Sequence, residues 1–541
     1  MGTKNLNSAT DLITFTRASG GTALRKISYG NELVTNGTFD TDISGWNNDG
    51  TTSAIVGNQI EVTSVSGVSG SGVNQTITTV AGKRYKFSSD HAPQTGRARI
   101  EVKDNNNFGS GLGTLSQTSA TGTYEFVFVA LSNSTYIRLE AFDTSSVVLF
   151  DNVSVKEVLF DQADGTLQLF NHGNNVPRIE YDATGAVKGL LIEEARTNLI
   201  TNSNTVSWVD VRITTTLNAG VSPDGTSNAT KVVPLNQTNT YLYIGLQSLG
   251  SGVKSSTSIY LASAGYGFAT VCAYDGSSSR NTAVVDLSNG TITANYNAGL
   301  YTDTFTVEPA GNNFYRVSVT HENRSYLILG ASDTGTYTPS SSFGFNDTMT
   351  GDGISGILRY GLQHEIGSFP TSYIPTSGST ATRAADIATI PTSAFGYNND
   401  KGSIAVEFDS NKPSSLNYGA FVLSDGTPNN RIIHYASTQA HNVYVRNTSG
   451  IQVDIAVGNR GATSELVKFA LAFAEDDFAA SLDGASVVTD TSGTFPSGIS
   501  VLAFGHHYPT QPSSNMINGH IKSIKYYPRR LTNTQLQELT T

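Results

Sequence analysis

Along most of this chain apolar and polar residues alternate with a period of two. The pattern is clear in Tyr124-Glu125-Phe126-Val127-Phe128-Val129, in Tyr136-Ile137-Arg138-Leu139-Glu140-Ala141-Phe142, and in Tyr315-Arg316-Val317-Ser318-Val319-Thr320. Such runs place alternate side chains on opposite faces of a strand. They are short and are punctuated by Gly and Asn turns about every ten residues, which predicts antiparallel sandwiches or jelly rolls. Helical periodicity is confined to the tail, where Thr532 is placed to cap a short helix with Leu536 and Leu539 on one face. The fold class read from the pattern is therefore all-β.

Three modules follow from the order of these strands. The first, residues 31–157, opens with Asn31-Glu32-Leu33-Val34-Thr35-Asn36-Gly37-Thr38-Phe39-Asp40 and Ser44-Gly45-Trp46. It closes with Phe150-Asp151-Asn152-Val153-Ser154-Val155-Lys156-Glu157. This order resembles jelly-roll carbohydrate-binding modules of bacterial glycanases and phage fibres. The second, residues 198–376, repeats the logic with Val206-Ser207-Trp208 and a late strand Phe314–Val319, and reads as another jelly-roll sandwich. After a linker at 377–390, residues 391–541 contain the strand Val467–Phe473, an acidic turn at Glu475-Asp476-Asp477 and the return Phe478–Gly484. That hairpin and the ending Gly519–Leu531 resemble the concanavalin A-like, laminin G-like lectin domains of phage proteins.

Two peptides bracket the second module: Gly189-Leu190-Leu191-Ile192-Glu193-Glu194-Ala195-Arg196-Thr197-Asn198-Leu199-Ile200 and Gly367-Ser368-Phe369-Pro370-Thr371-Ser372-Tyr373-Ile374-Pro375-Thr376. Neither holds a nucleophile with its base, a metal-ligand cluster or a phosphate-cradling loop, so their expected role is architectural. The pair resembles boundary peptides of modular tail and fibre proteins of tailed bacteriophages. In that family a segment like Phe15-Thr16-Arg17-Ala18-Ser19 stands just upstream of one like Val176-Pro177-Arg178-Ile179-Glu180-Tyr181-Asp182. Here the first module lies between them, which implies an inserted domain within an N-terminal anchor region of residues 1–30 plus 158–197. These two segments are expected to pack together.

Composition narrows the function classes. Only 14% of residues are charged against roughly 25% in typical soluble domains, so the surface is built from hydroxyls and amides. With 38% hydrophobic residues and 24 each of Tyr and Phe, disorder is not the reading. A net charge of -11 without a basic stripe argues against nucleic acid as a partner. Cys272 is the single cysteine, flanked by strand-like residues, and is expected to be a buried, inert thiol. Neither a secretory leader nor a run of membrane-spanning length is apparent, which fits a virion component made in a bacterial cytoplasm and displayed on the particle surface.

Candidate chemistry is sparse. Period two sets Glu407 and Asp409 on one strand face, as glycan cleavage by paired carboxyls would need, but Ser410, Asn411 and Lys412 follow where lectin-fold glucanases carry their acid. The Glu193-Glu194 pair is weaker, because adjacent strand residues point to opposite faces. Trp46 and Trp208 each follow a module opener, and either could stack on a sugar ring, although a repeated Trp position favours the core. His506, His507 and Tyr508 form a polar loop after a strand, with sugar contact as a secondary role and no spaced ligand set for a metal. The resembled families imply structural calcium, but no ligand set can be chosen among so many acidic loops.

The resemblance implies a non-enzymatic fibre, spike or surface appendage that binds host surface polysaccharide by repeated weak contacts. It further implies attachment to other virion proteins through the N-terminal region, and a homo-oligomer, with a trimer favoured by analogy. Two alternatives stand beside it: a decoration or spacer protein that binds no sugar, and a depolymerase.

Overall fold

The structure is a computed structural model and describes residues 13–65, 71–107, 109–247, 249–250, 252–277, 279–298, 303–336, 349–413, 415–459, 461, 465–507 and 515–541. It is nearly all-β, and every strand pair whose register is defined is antiparallel. Two compact units make up the chain: Lys26–Thr166, and Leu167–Thr541 together with the residues before Lys26.

The unit Lys26–Thr166 is a two-sheet sandwich. One five-stranded sheet runs Asn47–Asp49, Ser71–Thr78, Ser134–Ala141, Ala98–Asp104 and Gly111–Thr118 in spatial order. The facing sheet contains Gly122–Val129, Arg84–Thr95 and Val147–Phe160, and the hairpin Thr51–Val56 with Gln59–Ser64 extends it. The apolar half of each alternating strand fills the space between the sheets, where Ile100, Val102, Ile137, Leu139, Phe87 and Phe150 are inaccessible to water. Filling each of those positions stabilises the sandwich by roughly 1.5–3 kcal/mol.

The larger unit holds two further sandwiches. In the first, the sheet Val209–Val211, Tyr241–Gly245, Tyr326–Ser332, Phe268–Tyr274, Arg280–Asp286, Ile292–Ala298 packs on Ile213–Gly220, Ala229–Pro234, Gly356–Ile366, Lys254–Ala264, Tyr315–Glu322, Thr304–Pro309. Cys272 lies buried within Phe268–Tyr274.

The C-terminal sandwich draws on distant parts of the chain. Its first sheet begins with Thr14–Thr16 beside Ile387–Pro391, and its second begins with Ile179–Tyr181 and Val187–Ile192 beside Gly519–Tyr527. Segments that the sequence sets apart as an anchor region thus supply edge strands to this sandwich. They extend the edges at Ile387–Pro391 and Gly519–Tyr527, and Phe15, Ile179, Tyr181, Leu190 and Ile192 enter its core. The acidic turn is a two-residue hairpin loop in which Asp476 takes a left-handed conformation (φ 52°) between the paired Ala474 and Asp477. At the tail, Thr532 and Gln535 form a reciprocal capping box on the helix Asn533–Thr540, and Leu536 is buried against the sandwich.

Candidate functional site

The bracketing peptides come together in the larger unit. Each opens on a glycine with positive φ, 141° at Gly189 and 152° at Gly367; an added Cβ would stand 2.5 Å from the Ile521 carbonyl oxygen at the first and would displace the Arg196 guanidinium at the second. Between them, the Ser372 backbone N–H and hydroxyl donate to the Glu193 carboxylate at 2.7 and 2.6 Å. Glu193 also pairs with Arg178 at 2.8 Å and with Arg383 at 3.6 Å. Asp386 completes the cluster by accepting from Arg178 and from Arg17, the latter at 3.1 Å. Arg17 further donates to the carbonyl oxygens of His172 and Gly173. Three guanidiniums thus face two carboxylates with no more than 6% of any side chain exposed. Arg178 and Arg383 hold the Glu193 carboxyl far below the ordinary carboxylate range despite its burial. Glu194 turns the other way, to Asn518, Arg196 and Lys412. The whole arrangement is a joint in which the carboxylates of Glu193 and Asp386 are taken up by protein groups.

A different arrangement lies on the five-stranded sheet of the Lys26–Thr166 unit. Here the polar half of the alternation forms a lattice of opposite charges. Arg99 stands across from Glu140, Glu101 from Arg138, and Lys103 from Tyr136. Arg99 and Lys103 both pair with Glu101, at 3.0 and 2.9 Å. Arg99 and Arg138 converge on Glu140, and Arg138 reaches across Ser71–Thr78 to Asp49 on the edge strand. Such cross-strand pairs hold the sheet face in one geometry.

Although these side chains point away from the core, they are recessed. Glu140 is 1% exposed and Arg138 6%, and they floor a groove of about 400 Å³ with Arg99, Glu101, Lys103, Asn107 and Phe142 along it. Phe142 is capped by two guanidiniums, Arg97 at 5.4 Å and Arg99 at 5.1 Å from its ring centre. Burial pushes the Glu140 carboxyl up against the pull of Arg99 and Arg138. For Arg138 burial works against the charge, and its bonds to Asp49, Tyr136 and Glu140 more than offset that, so its pKa is raised. Three cations, Arg99, Lys103 and Arg138, are balanced by Asp49, Glu101 and Glu140. A net-neutral floor of alternating donors and acceptors, bordered by an aromatic ring, suits an uncharged ligand rich in hydroxyls, because charge-assisted hydrogen bonds are the strong ones.

The residues singled out in the sequence fall elsewhere. Trp46 is buried in the core against Phe39, and its indole N–H is shared between the carbonyl oxygens of Thr35 and Asn36 at 3.1 and 3.2 Å. It presents no face to a sugar. Trp208 is half-buried against the second sandwich, with the Arg359 guanidinium 5.2 Å over its ring. His506 is buried and kept neutral, its pKa lowered to about 4 by burial. His507 stacks on Tyr435, with ring centres 5.8 Å apart, and burial beside Arg431 likewise lowers its pKa to about 4. Tyr508 lies outside the described residues.

Glu407 and Asp409 do not form a pair on one face. The strand Lys401–Phe408 stops before Asp409, after a register shift between Glu407 and Phe408. Asp409 instead accepts from the His520 ring at 2.9 and 3.0 Å, and the other nitrogen of His520 meets Glu180 at 2.7 Å. Among the described residues no three His, Cys, Asp or Glu side chains converge on a metal position, so none is assigned to calcium.

No family model matches the chain, and no curated protein does. Among solved structures, a CBM4 structure is 18% identical over 23% of this chain and 99% of its own, with a TM-score of 0.21. The CBM40 of Ruminococcus gnavus IT-sialidase bound to α2,3-sialyllactose is 14% identical over 27% of this chain and 85% of its own, at 0.25. The tandem CBM22-1–CBM22-2 domain of Paenibacillus barcinonensis Xyn10C is 9% identical over 62% and 98%, at 0.20. Likenesses this weak have no bearing on what the chain binds.

Proposed function

We propose that this chain is a non-enzymatic surface appendage of a tailed-phage virion that adsorbs to host glycans through the groove of its inserted sandwich. The observation that carries the glycan reading is the recessed, charge-balanced lattice around Arg138 and Glu140 with Phe142 at its side. Buried ions that face outward into a groove can exchange part of their mutual contact for hydroxyl groups of a ligand without leaving a charge unpaired. A shallow site of this kind binds weakly alone and gains through repetition, so a homo-oligomer, a trimer by analogy with phage fibres, is part of the proposal. The phage assignment rests on the two bracketing peptides and on the lectin-like third sandwich. Attachment to the particle would run through the N-terminal region.

The test is a glycan array and host-adsorption inhibition with the purified full chain, alongside Arg138→Gln and Glu140→Gln, with Trp46 emission reporting that the sandwich is folded. Binding to host polysaccharide that both substitutions abolish, without release of reducing ends, is the expected result. Absence of binding by the unaltered chain would leave a spacer protein. Binding that ignores both substitutions would move the site off the groove.

A further inference from the structure

A second site of different chemistry lies in the larger unit. Two adjoining cavities of about 310 and 340 Å³ share Glu180, Lys188, Glu308, Arg316 and Ser372 in their walls. Each falls at the lower end of the roughly 300–1,000 Å³ seen for small-ligand sites. Tyr260 and Tyr373 back the first cavity as buried walls.

Arg316 is the residue that calls for a ligand. It is 8% exposed, and one terminal N–H donates to the Ser258 hydroxyl at 2.9 Å. Its guanidinium lies 5.7 Å from the centre of the Tyr260 ring. The Nε–H is buried with no acceptor, as it is in Arg178, Arg359 and Arg383, and Arg316 makes no ion pair with a carboxylate among the described residues, so it is its place in the wall of both cavities that sets it apart. The other ion pairs of comparable burial in this unit each join a cation to a carboxylate directly, as Arg324 does with Asp303 at 2.9 Å. A guanidinium taken out of water without a bonded counter-ion is costly, and a planar fork with a free edge matches a carboxylate in two-point contact.

The neighbouring charges leave that role open: Glu365 and Glu193 act on Arg316 only through space, being taken up by Gln363 and Thr371 and by Ser372 and Arg178 respectively. Glu180 is already satisfied, accepting from the Leu24 N–H at 3.3 Å and meeting His520 at 2.7 Å, while His520 is held from behind by Asp409. Lys188 stands 3.6 Å from Glu180 with a third of its side chain exposed to the cavity. It is a second cation over a carboxylate that His520 already neutralises. Glu308, cross-strand partner of Arg316, is exposed at the rim, where solvent screens its charge and where it can accept from hydroxyls.

We infer that this cavity binds an acidic sugar, a hexuronic acid unit, with its carboxylate on the open edge of Arg316 near Lys188 and its hydroxyl side turned toward Glu308. This site stands on observations separate from those for the groove, and it holds or falls without it.

The test is calorimetric titration of the full chain with sodium D-glucuronate, D-glucose and inorganic phosphate. Glucuronate should bind saturably, with glucose and phosphate weaker by at least about tenfold, as the loss of a charge-assisted two-point contact implies. Arg316→Gln should abolish the glucuronate signal, Lys188→Gln should weaken it by about fivefold or more, and Arg138→Gln in the groove should leave it unchanged. Trp208 emission shows whether each variant is folded, and if Arg316→Gln does not fold, Lys188→Gln decides. Glucose or phosphate binding as tightly as glucuronate, no glucuronate binding, or unaltered binding in a folded Arg316→Gln or in Lys188→Gln overturns the assignment.

Discussion

Replacing Glu193 with Ala should uncouple the joint between the bracketing peptides. The substitution removes the carboxylate that takes two hydrogen bonds from Ser372 and pairs with Arg178 and Arg383. Arg17, Arg178 and Arg383 would then face Asp386 alone, all four side chains fully buried. Breaking a buried pair from one side costs about 3–5 kcal/mol, because the remaining charge keeps its desolvation penalty and loses its compensation. The chain carries its own reporters, since it has only two tryptophans and they lie in different units, Trp46 within Lys26–Thr166 and Trp208 in the larger one. In a Trp46→Phe background, urea unfolding followed by Trp208 should shift to a midpoint lower by about 1–2 M, given that cost and a denaturant slope of about 2–3 kcal/mol per molar. In a Trp208→Phe background, the Trp46 transition should not move. Glu193→Gln keeps the shape and one acceptor but not the charge, and should fall between. Acid should act in the same direction: the Glu193 pKa is depressed in the folded chain, so its contribution is complete above the ordinary carboxylate value and is lost as pH falls below it. A Trp208 midpoint unchanged by Glu193→Ala, or a Trp46 midpoint shifted by the same amount, would refute the reasoning.

Two more outcomes follow from buried groups. Burial disfavours charge on His520, but the hydrogen bonds it donates to Asp409 and Glu180 prevail and raise its pKa to about 9 from 6.5; its stabilisation is complete below 6.5 and disappears as pH rises through 9, a loss of about 3 kcal/mol. The Trp208 urea midpoint should fall across that interval in the native sequence and not in His520→Gln, and equal slopes in the two would rule the assignment out. Burial raises the Cys272 thiol to about 11, so the folded chain should not react with a thiol-selective disulfide reagent at pH 8 while the urea-unfolded chain titrates one thiol; prompt reaction of the folded chain would contradict the placement.

Alternation was enough to read the fold class, a capping Thr532 with Leu536 and Leu539 three apart gave the tail helix, and resemblance to a lectin-domain hairpin gave the turn at Glu475-Asp476-Asp477; each depends on neighbours within a few positions. Opposite orientation of Glu193 and Glu194 was legible for the same reason. What escaped was pairing over long separations. Thr14–Thr16 joins Ile387–Pro391, and Val187–Ile192 joins Gly519–Tyr527, across more than 300 residues of chain, so an anchor region could be delimited but not assigned to a sheet. The groove was hidden differently. In Tyr136-Ile137-Arg138-Leu139-Glu140 the apolar positions announce the strand, while the charged positions, matched by Arg99, Glu101 and Lys103 on the adjacent strand, form the candidate site. Two nearby strands with complementary charges at period two were the available signal.

Scarcity gives those charges their meaning. In a chain where only 14% of residues are ionic and hydroxyls and amides suffice for solubility, a buried ion pair has no solubility role. Its desolvation must be offset by what the pair specifies. In the joint, Arg17, Arg178 and Arg383 specify that segments 189 to 369 residues apart meet in one register, which neutral packing alone would specify less sharply. In the groove, Arg138 and Glu140 lie on a single strand and Arg99 on its immediate neighbour, where backbone pairing already fixes the register. There the ions add little to folding specificity, so replacing the whole set by Gln, Thr and Ser should cost the sandwich little stability while removing recognition. Arg316 differs from both groups, since it specifies no joint and bonds the neutral Ser258 hydroxyl rather than a carboxylate, which is why a ligand carboxylate is proposed as the other half of its pair.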